Sequence, residues 1–289
     1  MTRVTCVVVT RDRRELLGEC LAAVTGQTRS IDHLIVVDNL SSDGSPELVR
    51  REFPEARRIV LSRNLGSAGG FAHGVVAALG TNADWLWLLD DDTIPSPDAL
   101  ERLLAAPYQQ AGLPAPEILA SRVNWTSGQP HPMNTPILRR RDPERSIRAA
   151  GVGLLPLRAT TFVSLLVDAS AVRRHGPPRA EFFLQADDIE FTARILRRGF
   201  GYLVPDSVVE HRTATPHTFL TDPLRFRFHL RNTVFMLRGT AWEPAEKAAL
   251  VWVLIDSSAR FLRQQRFELQ ALRLIAGALR DGVAPSYAD

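Results

Sequence analysis

Four apolar runs in the first hundred residues, each followed by a helical pattern, constrain the fold most strongly. The runs are strand-like and cover residues 4–10, 33–38, 57–62 and 84–90. The first, "VTCVVVT", is rich in β-branched residues, which is typical of a strand covered on both faces. Helical patterns follow at 13–24, at 45–53 from a Ser-Pro start, at 69–80, and at 96–106 from a second Ser-Pro start. This alternation predicts an α/β fold with a doubly wound, mostly parallel sheet.

The rest of the chain is less regular. Residues 107–160 are rich in proline and arginine and indicate long loops with a few short strands. A strand and a helical turn are predicted at 161–176, a helix at about 187–198, and then a strand that ends at His211. Residues after about 223 are mostly helical in pattern, and Pro244 marks the start of the last long element.

Composition argues against several classes of protein. The 45% apolar and 23% charged residues are ordinary for a globular protein, and no apolar run reaches the ~18 residues of a membrane span. The N-terminus enters a strand without the pattern of a signal peptide, and two cysteines provide no disulfide framework, so we expect a cytoplasmic protein. The pI is near 9.3, but Lys247 is the only lysine and the arginines are spread along the chain, so we expect no nucleic-acid partner.

Polar residues follow each of the four predicted strands. In an open α/β sheet, ligands bind in the crevice beyond the carboxyl ends of the strands. The residues that reach this edge are Thr10-Arg11-Asp12, Asp38-Asn39, Arg63-Asn64 and Asp90-Asp91-Asp92. Taken alone, "DNLSSDG" (38–44) also fits an ordinary turn, since Asp and Asn favour turns.

The triple aspartate is harder to explain as a loop. Three adjacent carboxylates repel one another, and the buried pattern of the preceding strand places them at the floor of a cleft. A hard divalent cation with oxygen ligands resolves that repulsion. His211, at the end of another apolar strand, is a candidate third ligand, although a lone histidine is more often structural.

Two further segments carry candidate site residues. The loop "SRNLGSAGGFAHG" (62–74) enters a helix, where the N–H groups of residues such as Gly69 can approach a phosphate, or where the glycines merely make a tight turn. In "QADDIEF" (185–191), Asp187, Asp188 and Glu190 lie at a helix start. They can stabilise the helix through its dipole, and an ionised carboxylate there can accept a proton from a hydroxyl group.

Seven segments, in order, resemble the family 2 glycosyltransferases with the GT-A fold. They are "VVVTRDR", "IVVDNLSSDGS", "NLGSAGGFAHG", "LLDDDTIPSPDAL", "ADDIEFTARILRRGF", "VPDSVVEH" and "FHLRNTVFML". The resemblance covers roughly residues 4–238 and is strongest to the galactofuranosyltransferases, while the last segment is shared with rhamnosyltransferases. It implies a GT-A domain over 1–238, with a Rossmann-like nucleotide-sugar-binding half at 1–106 and an acceptor half at 107–238, followed by a helical extension at 239–289.

The resemblance also implies roles for individual residues. Metal ligands for Mn²⁺ or Mg²⁺ would be Asp90, Asp92 and His211, and Asp91 would lie near the donor sugar. The nucleotide and donor would be bound by Thr10, Arg11, Asp38, Arg63, Asn64 and Gly69. The general base would be Asp188, with Asp187 and Glu190 around the acceptor.

The implied reaction is an inverting transfer from a nucleotide-diphosphate sugar, UDP-galactofuranose first and dTDP-rhamnose next. Its acceptor would be a hydroxyl of a glycan, a lipid-linked or a small molecule. The chain is shorter than the galactofuran polymerases, which favours addition of one or two sugars. Two alternatives stay open. One is a sugar-phosphate nucleotidyltransferase, which would normally have a glycine-rich loop and a lysine after the first strand. The other is a nucleotide- or cation-binding module that has lost catalysis.

The C-terminal segment 243–281 mixes leucine and arginine at helical spacing. A helical hairpin packed on the domain and a homodimer contact both fit this pattern. A basic amphipathic face on anionic lipid also fits, and it would place the protein at the inner face of the membrane.

Overall fold

The four strands predicted for the N-terminal half are present in the computed structural model, which describes residues 2–140, 142–215, 220 and 222–284. They are β1 (Val4–Thr10), β2 (His33–Asp38), β3 (Arg57–Val60) and β4 (Trp85–Asp90). All four are parallel, in the order β3-β2-β1-β4. Every residue of β1 is buried, which explains its unbroken apolar, β-branched character.

Helices cover both faces of this half-sheet. They are α1 (Arg14–Thr25), α2 (Ser45–Glu52) and α3 (Gly66–Leu79). The side chains of α1 and α2 pack with Cys6 and Val8 on one face of β1, and those of α3 pack with Val7 and Val9 on the other. The predicted doubly wound α/β arrangement is therefore confirmed.

One predicted helix cap, Ser45, and one predicted helix start, Gly69, were wrong. Gly44, with φ of 85°, caps α2, so that Ser45 is already helical. Helix α3 begins at Gly66 instead of Gly69 and packs unusually close to the sheet. A Cβ at Gly74 would lie 2.4 Å from Val7 Cγ1, so only glycine permits this approach.

The second half of the chain extends the same sheet with mixed strand directions. Its elements are β5 (Thr93–Pro95), α4 (Ala99–Leu104), β6 (Ile118–Asn124), β7 (Ile137–Leu138), α5 (Pro143–Gly151), β8 (Leu155–Ala159), β9 (Leu165–Asp168), α6 (Ala169–His175), α7 (Asp187–Leu196) and β10 (Gly201–His211). Strand β9 lies antiparallel between β4 and β6. Strand β10 is parallel to β6 and antiparallel to β5 and β8.

Two predictions for this half needed correction. The helix predicted from Ser96 begins at Ala99, because the Ser96 N–H still donates to the Val208 carbonyl (3.0 Å) in continuation of the β5–β10 pair. The region 107–160 contains more regular structure than predicted, including the seven-residue β6 and the nine-residue α5. Strand β6 is held by pairing on both edges, which a local pattern does not reveal.

Three helices end the chain: α8 (Pro223–Arg238), α9 (Pro244–Gln264) and α10 (Leu269–Val283). The predicted helical extension is thus present. Helices α9 and α10 pack on α8, where Phe226 stacks on Phe261 with ring centroids 3.9 Å apart. The predicted boundary at residue 238 coincides with the end of α8, although α8 shares this core with the extension. Residues 216–219 and 285–289 of the predicted ranges lie outside the described residues.

A buried arginine ties α9 to the sheet. Arg158 Nε donates to Glu246 Oε1 (2.8 Å), and its Nη1 and Nη2 donate to the carbonyls of Ala193 (2.7 Å) and Ala241 (2.6 Å). The outer face of α9, by contrast, is open to solvent, with Trp252 66% exposed. Across the described ranges, no helix combines the length and apolar character needed to cross a bilayer.

Candidate active site

The carboxyl ends of the parallel strands meet at one edge of the sheet, as predicted. Thr10 lies opposite Asp38 in the β1–β2 register, and Val9 lies opposite Asp90 in the β1–β4 register. Asp91 and Asp92 follow directly and are both buried. Acidic residues, three of them buried, therefore lie together at the carboxyl ends of β1, β2 and β4.

His211 reaches this group through a short strand pair. Thr93 of β5 lies opposite His211 of β10, and the Arg212 N–H donates to the Asp92 carbonyl (2.8 Å). As a result, ligand atoms of Asp90, Asp92 and His211 all lie within 4.8 Å of one another. The structure thus brings together the three predicted metal ligands, which we call the Asp-Asp-His cluster.

Further residues hold the His211 ring, and the sequence did not single them out for this role. His211 Nδ1 lies 2.8 Å from Asn134 Oδ1, and Asn134 Nδ2 donates to Thr161 Oγ1 (3.0 Å). The His131 ring packs against the His211 ring with centroids 4.9 Å apart. Since Asn134 offers an acceptor oxygen, Nδ1 carries the proton, and Nε2 is directed at the carboxylates.

Burial sets the charge of the acidic group. It raises the pKa of Asp90 to about 7, and the neighbouring Asp92 charge acts in the same direction. Burial alone would also raise the pKa of Asp92, but His211 and Arg13 outweigh it and lower that pKa to about 2. Burial by itself would lower the pKa of His211, but the contact with Asp92 outweighs burial and raises this pKa overall. The negative charge of Asp90 and Asp92 is therefore compensated in part by Arg13 and His211.

Asp91 turns to the end of β1 and to Arg13. It accepts hydrogen bonds from Thr10 Oγ1 (2.7 Å), the Arg11 N–H (3.3 Å) and Arg13 Nη1 (3.3 Å). Burial raises the pKa of Asp91 to about 6. Arg13, which the sequence did not single out, also forms an ion pair with Asp92, whereas the Arg11 side chain is exposed beside Asp12.

The end of β2 offers an acceptor that is not used within the protein. Asp38 Oδ1 accepts the Ser41 N–H (2.8 Å), while the buried Oδ2 has no hydrogen-bond partner among the described residues. Arg63 is exposed near the same edge and has no ion-pair partner in the described part of the chain. Asp38 thus has the properties expected of a residue that meets a ligand donor.

The glycine-bearing loop does not offer the N–H groups that were predicted for phosphate. The N–H of Leu65 donates to Asn39 Oδ1 (2.8 Å), and that of Gly66 to Asn64 Oδ1 (2.9 Å). Gly69 lies inside α3, where its N–H donates to the Leu65 carbonyl (3.3 Å). The N–H of Gly69 is therefore already engaged within α3, and Asn64 uses its side-chain oxygen to shape this loop.

The first two residues of α7 place carboxylates at the crevice. Asp187 is buried, accepts a bond from Ser67 Oγ (3.4 Å), and has a pKa raised by burial and by the charge of Asp188. Asp188 is partly exposed, and burial raises its pKa to about 6. Ser67 directly follows Gly66, whose carbonyl accepts a bond from Asn39 Nδ2 (2.7 Å) at the end of β2, so α7 begins at the same edge of the sheet as the Asp-Asp-His cluster.

Glu190 does not share this position, which corrects its predicted acceptor role. It is buried, accepts a bond from Arg194 Nε (2.9 Å), and lies 3.7 Å from Arg179 Nε. Arg194 in turn donates to the Pro177 carbonyl (3.0 Å). Glu190 therefore fastens α7 to the segment before it.

The Asp-Asp-His cluster fits a divalent cation. Asp92 Oδ1 is buried 3.1 Å from His211 Nε2, and no other group among the described residues contacts this oxygen as a donor. Two carboxylates and an imidazole are ligands that Mn²⁺ accepts, and Mg²⁺ is served by the carboxylates. A cation there would bind this oxygen together with His211 Nε2 and relieve the repulsion between Asp90 and Asp92.

Comparison with known proteins agrees with this geometry. The family model "Glycosyl transferase family 2" matches residues 5–169, which is more than half of the chain. The chain is 34% identical over 198 residues to galactofuranosyltransferase GlfT1 of Mycobacterium tuberculosis, and this match covers 68% of the chain and 65% of that protein. The match thus spans slightly less than two thirds of that relative's length.

Two further comparisons cover almost the whole chain. The N-acetylglucosaminyl-diphospho-decaprenol L-rhamnosyltransferase of Mycobacterium tuberculosis is 26% identical, over 88% of this chain and 89% of that protein. Mannosyltransferase PcManGT of Pyrobaculum calidifontis, solved with GDP-Man and Mn²⁺, superposes with a TM-score of 0.57 and 19% identity, over 99% of this chain and 76% of that chain. The likeness to PcManGT shows the fold, and the predicted GT-A architecture is confirmed.

Proposed function

The chain belongs to glycosyl transferase family 2, and from that premise we propose that it moves a sugar from a nucleotide-diphosphate sugar to an acceptor hydroxyl with the help of a divalent cation. One observation supports this proposal most. Ligand atoms of Asp90, Asp92 and His211 lie within 4.8 Å of one another at the edge of the sheet where α7, which carries Asp188, also begins.

Cluster and carboxylate supply the two functions that such a transfer needs. A Mn²⁺ or Mg²⁺ held by Asp90, Asp92 and His211 would neutralise the charge that develops on the departing diphosphate. Asp188 accepts the proton of the acceptor hydroxyl as its oxygen attacks the anomeric carbon. The glycosidic bond forms as the sugar–phosphate bond breaks, and the electron pair leaves with the diphosphate. A single displacement of this kind inverts the anomeric configuration.

The remaining predicted residues have supporting parts. Asp38 Oδ2, buried and without a partner among the described residues, receives an N–H or O–H of the nucleoside. The exposed Arg63 adds positive charge near the diphosphate. Thr10 and Arg11 act by holding Asp91, and Asp187 lies beside the acceptor.

Asp188→Asn tests the mechanism directly. The amide cannot accept the proton, so transfer should fall by about 10²- to 10⁴-fold while the affinity for UDP with Mn²⁺ stays nearly unchanged. Asp206→Asn, an exposed carboxylate on β10, is the matched control and should keep full transfer. Equal loss of binding and transfer in Asp188→Asn would remove Asp188 from the mechanism, and turnover that survives EDTA would remove the cation.

We propose UDP-galactofuranose as the donor, with dTDP-rhamnose next. The support is the relatives, since the galactofuranosyltransferase match has the higher identity and the rhamnosyltransferase match the longer coverage. A hydrolysis screen across nucleotide sugars with Mn²⁺ present decides between them. Turnover of neither donor would contradict both assignments.

We also propose a lipid-linked acceptor, reached while α9 lies on an anionic lipid surface. Val251, Trp252 and Ile255 form an exposed apolar face on α9, and Arg263 and Arg266 are exposed at its end. Apolar side chains next to arginine match the composition of an anionic membrane interface. The lipid-linked substrate in the rhamnosyltransferase's name is consistent with this arrangement.

Vesicle co-sedimentation tests the surface. The variant Trp252→Ser/Ile255→Ser should lose binding to phosphatidylglycerol vesicles, while Val76→Ser, an exposed apolar residue on α3, should keep it. Equal recovery of both variants would end the membrane proposal. Loss of a concentration-dependent dimer in the double variant would instead assign the face to a second copy of the chain.

A further inference from the structure

The segment "FHLRNTVFML" has no part in the site as described so far. One of its residues is nevertheless fully buried against the loop of residues 181–186, which precedes α7. Asn232 on α8 has 0% exposure. Its side-chain nitrogen lies within hydrogen-bond distance of the carbonyl oxygens of Phe182 (2.9 Å), Leu184 (2.8 Å) and Gln185 (2.6 Å), which share its two N–H groups. Three backbone carbonyls of one loop therefore converge on a single amide group.

The loop that Asn232 holds, residues 181–186, has an unfavourable backbone. Phe183, Gln185 and Ala186 have φ of 59°, 71° and 64°, and none of them is glycine. Left-handed conformations are costly for residues with a Cβ and persist where surrounding contacts impose them. The bonds from Asn232 are such contacts, because they require the carbonyls to point towards α8.

Loop 181–186 leads directly into α7, which carries the proposed base Asp188. Ala186 is the N-cap of α7, whose first residues are Asp187 and Asp188. On its other side, the loop meets the start of α3, where the Ala68 N–H donates to the Phe183 carbonyl (3.2 Å). The path of the loop therefore sets where α7 begins.

Arg231 supports the same loop from its outer side. Its Nη2 donates to the carbonyls of Glu181 (2.9 Å) and Phe182 (2.7 Å), and its guanidinium lies 4.6 Å from the centroid of the Phe228 ring. Arg231 and Asn232, adjacent residues of α8, thus bind four backbone carbonyls of loop 181–186, those of Glu181, Phe182, Leu184 and Gln185.

We propose that Asn232 is a positioning residue for the transfer reaction, which holds loop 181–186 in its left-handed path and so places Asp188 at the acceptor hydroxyl. The inference rests on the proposed function of Asp188 as the base. Among the described residues, Asn232 forms no hydrogen bond to the Asp-Asp-His cluster or to Asp38. Loss of its side chain should therefore affect the chemical step more than donor binding.

Asn232→Ala tests this by separating kcat from binding. Removal of this amide group should lower kcat by about 100-fold through misplacement of Asp188, and leave the Kd for UDP with Mn²⁺ within about threefold. The matched control is Thr233→Val, because Thr233 is equally buried but its hydroxyl donates within α8 to the His229 carbonyl (2.7 Å). Thr233→Val should retain transfer.

A glycine in the loop provides a second readout. If Asn232 acts by holding a left-handed backbone, adding Gln185→Gly to Asn232→Ala should raise kcat at least about fivefold above that of Asn232→Ala alone. The reason is that glycine adopts positive φ without strain. A role in general stability would show no such recovery. Where Asn232→Ala does not fold, Asn232→Ser with and without Gln185→Gly makes the same comparison.

The outcomes separate this inference from the proposed function. Transfer that stays within about threefold in Asn232→Ala, or a matching loss of donor affinity, overturns the positioning role. Lack of recovery with Gln185→Gly does so too. Full transfer by Asp188→Asn instead overturns the proposed function, whatever Asn232→Ala shows.

Discussion

Asp92 Oδ1 lies 3.1 Å from His211 Nε2, although the two residues belong to different halves of the chain. They meet because the three-residue β5, which begins just after Asp92, pairs antiparallel with the end of β10. The short strand β5 thus brings His211 to Asp92 and completes the candidate cation site.

The first prediction concerns this contact. Asp92→Asn and His211→Ala should each lower the affinity for Mn²⁺, measured by electron paramagnetic resonance of the free ion, by at least about 100-fold, because each removes one of three ligands. Asp206→Asn leaves the cluster intact and serves as the control. Unchanged Mn²⁺ affinity in both cluster variants would show that the cation binds elsewhere.

Asn134 should matter for the metal without touching it. In Asn134→Leu the His211 Nδ1–H loses the acceptor that now lies 2.8 Å away, so the ring is no longer held with Nε2 towards Asp92. Such supporting bonds are worth about 10- to 100-fold in metal affinity. Titration calorimetry with Mn²⁺ measures the change, and Thr135→Val, an exposed neighbour, should show none. Equal affinities in the two variants would contradict the supporting role.

The activity should depend on pH through Asp188. Burial raises the pKa of this carboxyl to about 6, and only its deprotonated form accepts a proton. At saturating Mn²⁺ and donor, kcat should therefore be full above pH 7 and fall as pH decreases through about 6, whereas an ordinary aspartate would stay ionised to about pH 4. A kcat that stays constant down to pH 4.5 would exclude Asp188 as the base.

Cation affinity should change in the same pH range but for another reason. Burial raises the pKa of Asp90 to about 7, so a proton competes with the cation below that pH. The apparent Mn²⁺ affinity should therefore weaken as pH falls from 8 to 6. Equal affinity at both ends of this range would show that Asp90 does not need to lose a proton on binding.

Gly66 should be intolerant of a side chain. With φ of 70°, a Cβ there would lie 1.8 Å from the Phe183 carbonyl oxygen and push on loop 181–186. Gly66→Ala should lower the free energy of unfolding by about 2–4 kcal/mol, measured by urea denaturation. Gly112→Ala is the matched control, since Gly112 has φ of 58° but no atom within 4 Å of its Cβ, and should cost only about 1 kcal/mol. Equal losses would mean that the contact with Phe183 is unimportant.

The parallel half-sheet and the place of its acidic group could be predicted from the amino-acid sequence. Strands such as β1 are buried on both faces, so their composition alone identifies them, and Asp90–Asp92 follow β4 in the chain. Asp187 and Asp188 are likewise placed by local pattern, since acidic residues at a helix start are favoured by its dipole.

Which groups meet, and which are already engaged within the protein, depends on contacts between distant segments and was not predictable from local pattern. The partners of His211 and Asp91, namely Asn134 and Arg13, come from distant segments, and no spacing in the chain marks them. Gly69 and Glu190 show the converse: their residue types suit a ligand, but the fold directs an N–H to Leu65 and a carboxylate to Arg194. Burial and strand identity are local properties of composition, whereas a hydrogen-bond partner depends on where the whole sheet brings remote residues.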